Sequence, residues 1–292
     1  MRVRDFGDLV LLAAVWGASF LFMRIAAPAF GPLALAEARV AIAAVFLGVW
    51  LAARGELHAL RAQPARLALL GLLGSALPFA LLAYAMLHLS AGYGAFLNAT
   101  VPLWTALIAW LWLGDSIRPR QWLGLGIGLA GVAILVSGRP GAAGAAGPGP
   151  TLAIVAAVLA TGAYGLAANY TRRHLATTAP HVLAAGSQIG AALVLLVPAA
   201  ATWPATPPPP LAWASAIALG IACTGFAFVL YFRLLTRIGA VRASAVTFLI
   251  PVFGTAWGAL LLDERPSVQM LAGGAVILAG TALALGLRGK RG

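Results

Sequence analysis

Long apolar runs dominate the chain. They fall at residues 8–28, 33–53, 66–87, 92–113, 120–137, 151–171, 179–200, 211–232, 241–262 and 267–287. A continuous apolar run of about 20 residues matches the thickness of a bilayer core crossed by a helix. Helices are expected because lipid offers no partner to an unpaired backbone group. The pattern therefore predicts an all-α polytopic membrane protein with ten transmembrane helices. An outer-membrane barrel would show alternating rather than continuous hydrophobicity. The first run follows Arg2 and Arg4 as a signal peptide would, but Asp5, Asp8 and nine further runs predict an uncleaved first helix.

Composition agrees with lipid as the main solvent. Of the 292 residues, 62% are hydrophobic and only 9% charged, with a mean hydropathy of +0.96. Soluble domains carry about 25% charged residues. A formal charge of +12 would suggest nucleic acid in a soluble protein. Here the basic residues lie between the apolar runs, so topology explains them and no nucleic-acid partner is expected. With a cytoplasmic N-terminus, fifteen Lys and Arg face the inner side and four, Arg24, Arg39, Arg139 and Arg265, the outer side. That bias predicts a multi-pass protein of the inner or plasma membrane with both termini cytoplasmic. The single cysteine, Cys223, excludes an internal disulfide and reads as a small packing residue.

The two halves of the chain resemble each other. Shifting residues 66–138 by 149 places Pro102 on Pro251, Asp115 on Glu264, Gly124 on Gly273 and Gly131 on Gly280. A shift of 148 places Gly17 on Gly165, Arg24 on Arg172 and Pro32 on Pro180. A Gly/Ala/Pro linker at 139–150 separates a first five-helix repeat, 1–138, from a second, 151–292. A second Pro-rich segment, from Trp203-Pro204 to Pro210, reads as a stiff spacer. Five spans per half is odd, so the second half enters the membrane in the opposite sense. This inverted-topology repeat is an architecture of secondary transporters, with a cavity at its centre.

No catalytic constellation is visible, so an enzyme is not expected. The four histidines, His58, His88, His174 and His181, lie at or near span ends without metal-ligand spacing, and no phosphate-binding loop precedes the only lysine, Lys290. No metal or other cofactor is called for. Pro102 and Pro251 predict breaks near the middle of spans four and nine, where they free the carbonyls of Asn98 and Thr247. Two such breaks at matching depth would suit a central site, although packing kinks would also account for them. The aromatic candidates for a cavity wall are Trp16, Phe79, Tyr84, Trp104, Tyr164, Tyr231 and Trp257, whereas Trp110, Trp112 and Trp122 suit an interfacial belt. Asn98, Asn169, Gln188 and Thr247 are candidates to bind a zwitterion or to join helices; Gln188 suits helix joining, Asn98 and Thr247 suit the cavity, and Asn169 is kept as a cavity candidate. Glu37 and Arg39, in the first turns of span two, are expected to snorkel to the outer interface. Gly124, Gly128 and Gly131 with Gly273, Gly274 and Gly280 permit close helix packing, and a homodimer seam is the alternative use of these stripes.

Several short motifs resemble a known family. They are Trp16-Gly17-Ala18-Ser19-Phe20, Pro32 followed by Arg39, Ser90-Ala91-Gly92, Gly114-Asp115, Gly239-Ala240-Val241-Arg242-Ala243-Ser244, Pro251-Val252-Phe253 and Asp263-Glu264-Arg265. In order and spacing they are similar to two EamA-type repeats of the drug/metabolite transporter superfamily, over essentially the whole chain. The resemblance implies a ten-helix carrier, most like the aromatic or hydrophobic amino-acid exporters in overall look. It implies an exporter of amino acids or similar small zwitterionic metabolites working by alternating access, with a small-molecule substrate and lipid as partners. A drug or hydrophobic-metabolite efflux carrier is the alternative, and an intramembrane enzyme or a sensor is the alternative from another class. Where the family often has Gly-Glu-Arg, the first copy has Gly114-Asp115-Ser116, and these span-end residues read as caps or interface anchors.

Overall fold

The computed structural model describes residues 3–137, 148–238, 243 and 246–285. Most of the linker, the motif from Gly239 to Ser244 apart from Ala243, and the basic C-terminal residues lie outside the described residues. Ten apolar helical spans follow in order: Val3–Phe30, Pro32–Ala53, Pro64–Ala85, Ala91–Leu113, Pro119–Ser137, Pro148–His174, Pro180–Ala201, Pro210–Tyr231, Val246–Leu261 and Val268–Ala284. The first eight are long and apolar enough to cross a membrane, and the last two are shorter, at 16 and 17 residues. The eighth helix runs on to Ile238. Among the described residues there is no strand. The chain is thus a polytopic membrane protein, with ten helical spans among the described residues.

Proline sets many of the starts. Pro32, Pro64, Pro180 and Pro210 each open a span, where the missing N–H is one the helix could not have used. Left-handed residues close two others. Gly114 (φ 73°) ends span four, and Asp263 (φ 53°), 149 residues later, follows span nine. Glycine adopts this conformation freely, and Asp is among the few other residues that tolerate it.

Three spans depart from regular α-helix. Span four is Ala91–Asn98, a turn, and then Val101–Leu113, with Pro102 in the first turn of the second piece. The expected break is therefore present there. Span nine differs, because Val246–Leu261 is one helix with Pro251 inside it. Spans three and eight each contain a π-helical segment, Leu72–Ala76 and Ile221–Phe226, whose first residues are 149 apart.

Helix packing relates the halves. The principal contacts join spans one and nine, four and six, one and eight, three and six, two and eight, three and seven, two and seven, four and nine, and five and ten. Replacing each span by the one five places away maps this set onto itself. Spans five and ten approach most closely at glycines. A Cβ at Gly124 would meet Ala284 N at 2.5 Å, and one at Gly131 would meet Ile277 N at 2.6 Å. These glycines are used for packing within one chain. Trp110 and Trp122 meet edge to face at 5.1 Å on the exposed surface, as belt residues would.

Gly131→Leu should destabilise the protein by about 1–3 kcal/mol or more through overpacking against backbone. Gly126→Leu in the same span, where a Cβ meets nothing within 4 Å, should be neutral. Melting in detergent checks this, and equal melting temperatures for the two variants would contradict the packing account.

Candidate functional site

A cavity of about 360 Å³ lies between the halves. Span one contributes Trp16, Ser19, Phe20 and Met23, span two Arg39, span three Gly74, Phe79 and Leu82, and span four Asn98 and Val101. From the second half come Tyr164 of span six, Cys223, Phe228 and Tyr231 of span eight, and Val246, Thr247 and Ile250 of span nine. The wall is mostly apolar and aromatic with a few polar groups, as small-molecule sites generally are. Trp16 and Tyr231 lie ring to ring at 5.4 Å, bringing spans one and eight together in the wall. Asn98 Oδ1 is shielded from solvent without a hydrogen-bond partner in the protein.

The irregular segments help shape this wall. Gly74 and Cys223, 149 residues apart, are cavity residues within the two π-helical segments. Such segments recur at functional sites because the widened turn redirects side chains. In span eight, Thr224 Oγ1 donates to the carbonyl of Leu219, five residues back, at 2.8 Å. It also accepts from Arg39 Nε at 2.9 Å. Cys223 Sγ donates to the Val15 carbonyl at 3.2 Å, which ties span eight to span one.

Arg39 is the one formally charged residue in the wall among the described residues. It is 5% exposed, so the expected reach to the outer interface is corrected. Arg39 is seven residues past Pro32 and so about 10 Å down the helix. The stem instead turns inward, and its guanidinium carbon sits 3.6 Å from the centre of the Phe79 ring. The attraction of a cation for an aromatic face contributes there. Its remaining internal contact is a long one from a terminal nitrogen to Met23 Sδ at 3.9 Å. Among the described residues no carboxylate pairs with it.

Of the residues named from sequence, Trp16, Phe79, Asn98, Tyr164, Tyr231 and Thr247 share this wall. The others lie elsewhere. Tyr84 packs edge to face against His88 at 5.5 Å. Trp104 packs on Gly165 of span six, where an added Cβ would meet Trp104 at 3.0 Å. Asn169, 2% exposed, donates to the carbonyls of Thr105 and Gly165, both at 2.9 Å, and so joins span six to span four. Trp257 Nε1 donates to the Ala14 carbonyl at 3.0 Å, joining span nine to span one. Pro102 and Pro251 are buried within their spans. Gln188 donates to Ser75 Oγ at 2.8 Å and joins spans seven and three.

Sequence reading missed two ion pairs between the halves. Arg24 Nε donates to Glu264 Oε1 at 3.3 Å, while Glu264 Oε2 accepts from Ala91 N at 2.9 Å. Arg24 also donates to the Met86 carbonyl at 3.0 Å. Arg172 grips Asp115 with two bonds, of 2.7 and 2.6 Å. The Arg24–Glu264 pair is partly buried, whereas the Arg172–Asp115 pair is exposed. The bonds from Arg172 hold the Asp115 carboxyl below the usual carboxylate range. A lowered carboxylate pKa keeps this pair intact at neutral pH, and it is lost only as pH falls through that lowered value. The signal was present in the sequence, since the shifts that align Arg24 with Arg172 and Asp115 with Glu264 pair the same four residues. A further ion pair, Arg233–Asp8 at 2.8 Å, ties the end of the eighth helix to the start of the first.

Comparison with known proteins places this geometry. The model of the EamA-like transporter family matches the chain twice, over residues 7–137 and 151–286. A probable terminal-alkyne amino-acid exporter of Streptantibioticus cattleyicolor is 28% identical, over 94% of this chain and 91% of that protein. The Escherichia coli inner membrane transporter YedA is 34% identical over 147 residues, 47% of this chain and 46% of that one. One solved crystal structure, 22% identical, superposes with a TM-score of 0.68 over 98% of both chains and shares the fold. The two matches cover nearly the whole sequence, so the chain belongs to the EamA-like transporter family.

Proposed function

We propose that this transporter is an inner-membrane exporter of amino acids or similar small zwitterionic metabolites. It would work by alternating access between two inverted halves, residues 1–138 and 151–292, joined by the linker 139–150. The observation that carries the reading is the central cavity, walled by aromatic and apolar residues from both halves. The family's double match and the exchange of packing partners between halves support the repeat. The name of the Streptantibioticus relative supports the solute class.

The ion pairs suit the mechanism. With both termini cytoplasmic, Arg24–Glu264 lies at the outer end of the bundle and Arg172–Asp115 at the inner end. Each joins an arginine of one half to a carboxylate of the other. A carrier must open one end while the other stays closed. Arg24–Glu264 suits closure of the outer end, and Arg172–Asp115 together with Arg233–Asp8 suits closure of the inner end. Exposed pairs contribute little to stability, so the Arg172–Asp115 closure breaks readily.

Asn98→Ala and Thr247→Ala should each lower counterflow of labelled phenylalanine in liposomes several-fold while leaving folded, monodisperse protein. Unchanged initial rates in both variants would move the site out of this cavity. For topology, a C-terminal reporter active only in the cytoplasm should be active, and one active only outside should be silent. The reverse pattern would overturn the orientation.

A further inference from the structure

We propose that Arg39 is the anchor for a carboxylate on the carried solute, so that the site requires the acid group and not the amine. The inference rests on the transport reading above and adds the group that is recognised. A cation inside a membrane protein is costly unless something balances it, and such residues commonly face a cavity and serve function. Here Arg39 is 5% exposed, lines the central cavity and has no carboxylate partner among the described residues. Its guanidinium carries five N–H donors in a planar fork suited to a carboxylate. Nε is committed to Thr224 and one terminal nitrogen makes only the long contact to Met23 Sδ. Among the described residues, the cavity wall contains no Asp, Glu, Lys or His. A carboxylate is therefore the group that would cancel its charge.

A purely structural role for Arg39 has an internal control. Thr224 has its counterpart 149 residues earlier in Ser75, in the other π-helical segment. Ser75 Oγ is held not by a cation but by the neutral amide of Gln188, at 2.8 Å. Gln188 stands one residue past Ser187, the position that a shift of 148 assigns to Arg39. Bracing the hydroxyl of a π-helical segment thus needs a hydrogen-bond donor and no charge. Gln188 is fully buried outside the cavity wall, whereas Arg39 lies in it. The charge at residue 39 is left over from the structural task.

The wall offers an ammonium group far less. Its acceptors are neutral, namely Asn98 Oδ1 and Ser19 Oγ, both shielded without a partner, and the hydroxyls of Thr247, Tyr164 and Tyr231, and none of the described wall residues is a carboxylate. Solutes with a carboxylate and an apolar body should bind whether or not they carry an amine. Amines lacking the carboxylate should be rejected, because they bring a second positive charge to Arg39.

The test compares four probes on the purified full chain in detergent: phenylalanine, phenylpyruvate, phenylalaninamide and phenethylamine. Tryptophan fluorescence and melting temperature serve as readouts. The two carboxylates should bind at least about tenfold more tightly than the two amines, the range expected for a charge-assisted hydrogen bond. Arg39→Gln keeps a donor for Thr224, as Gln188 does for Ser75, and should abolish that preference while the protein still melts cooperatively. Equal or tighter binding of the amines by the native chain overturns the proposal, and this comparison does not depend on any variant folding. Failure of both carboxylates to bind overturns it too. A preference for carboxylates that survives in Arg39→Gln also overturns it, since the anchor is then another residue. Binding of phenylpyruvate without counterflow of phenylalanine upholds the anchor and overturns the amino-acid reading alone.

Discussion

The controlling constraint is that lipid hydrogen-bonds nothing. Each backbone N–H and C=O in the span must find a partner within the chain, which makes the helix the default along nearly every described residue. A transporter also needs a place where the helices stop filling all the space. This chain opens that place with local departures that keep most hydrogen bonds. Two π-helical segments widen a turn rather than breaking it, and a short turn before Pro102 divides span four. In span eight the side chain of Thr224 takes up a carbonyl within the widened turn. Cavity residues Gly74 and Cys223 come from these two segments, and Asn98 ends the first piece of span four.

Around that centre the halves are alike in backbone and unlike in charge. The π-helical segments, the left-handed closures at Gly114 and Asp263, and the close glycines of spans five and ten recur 149 residues apart. The Arg24–Glu264 and Arg172–Asp115 pairs follow a similar relation, yet one is partly buried and the other exposed. Among the described residues, only the first half places a cation in the cavity, at Arg39.

Much of the fold was legible because bilayer thickness fixes run length. All ten apolar runs became helical spans, with proline marking many of their starts. Pro102 announced a break correctly, whereas Pro251 did not, because a proline only removes one hydrogen bond and the surrounding helix can absorb that loss. The π-helical segments left no readable mark, since their residues are as apolar as their neighbours. Sequence named half a dozen residues that share the cavity wall, but type alone could not separate them from Asn169 and Trp257, whose polar atoms join helices instead. Arg39 was placed at the interface because distance along the helix was judged from the span's edge. The direction of its side chain depends on span eight, far away in sequence.

Cys223 offers the most direct test of the central claim, that one cavity is opened in turn by closures at opposite ends. It is the chain's single cysteine and lines that cavity, 1% exposed. Labelling by a membrane-impermeant maleimide applied from outside, to cells carrying the native chain, Glu264→Gln or Asp115→Asn, reports which end is open. Loosening the outer pair in Glu264→Gln should speed labelling several-fold, and loosening the inner pair in Asp115→Asn should slow it below the native rate. Changes in the same direction for both variants, or none in either, would contradict the account.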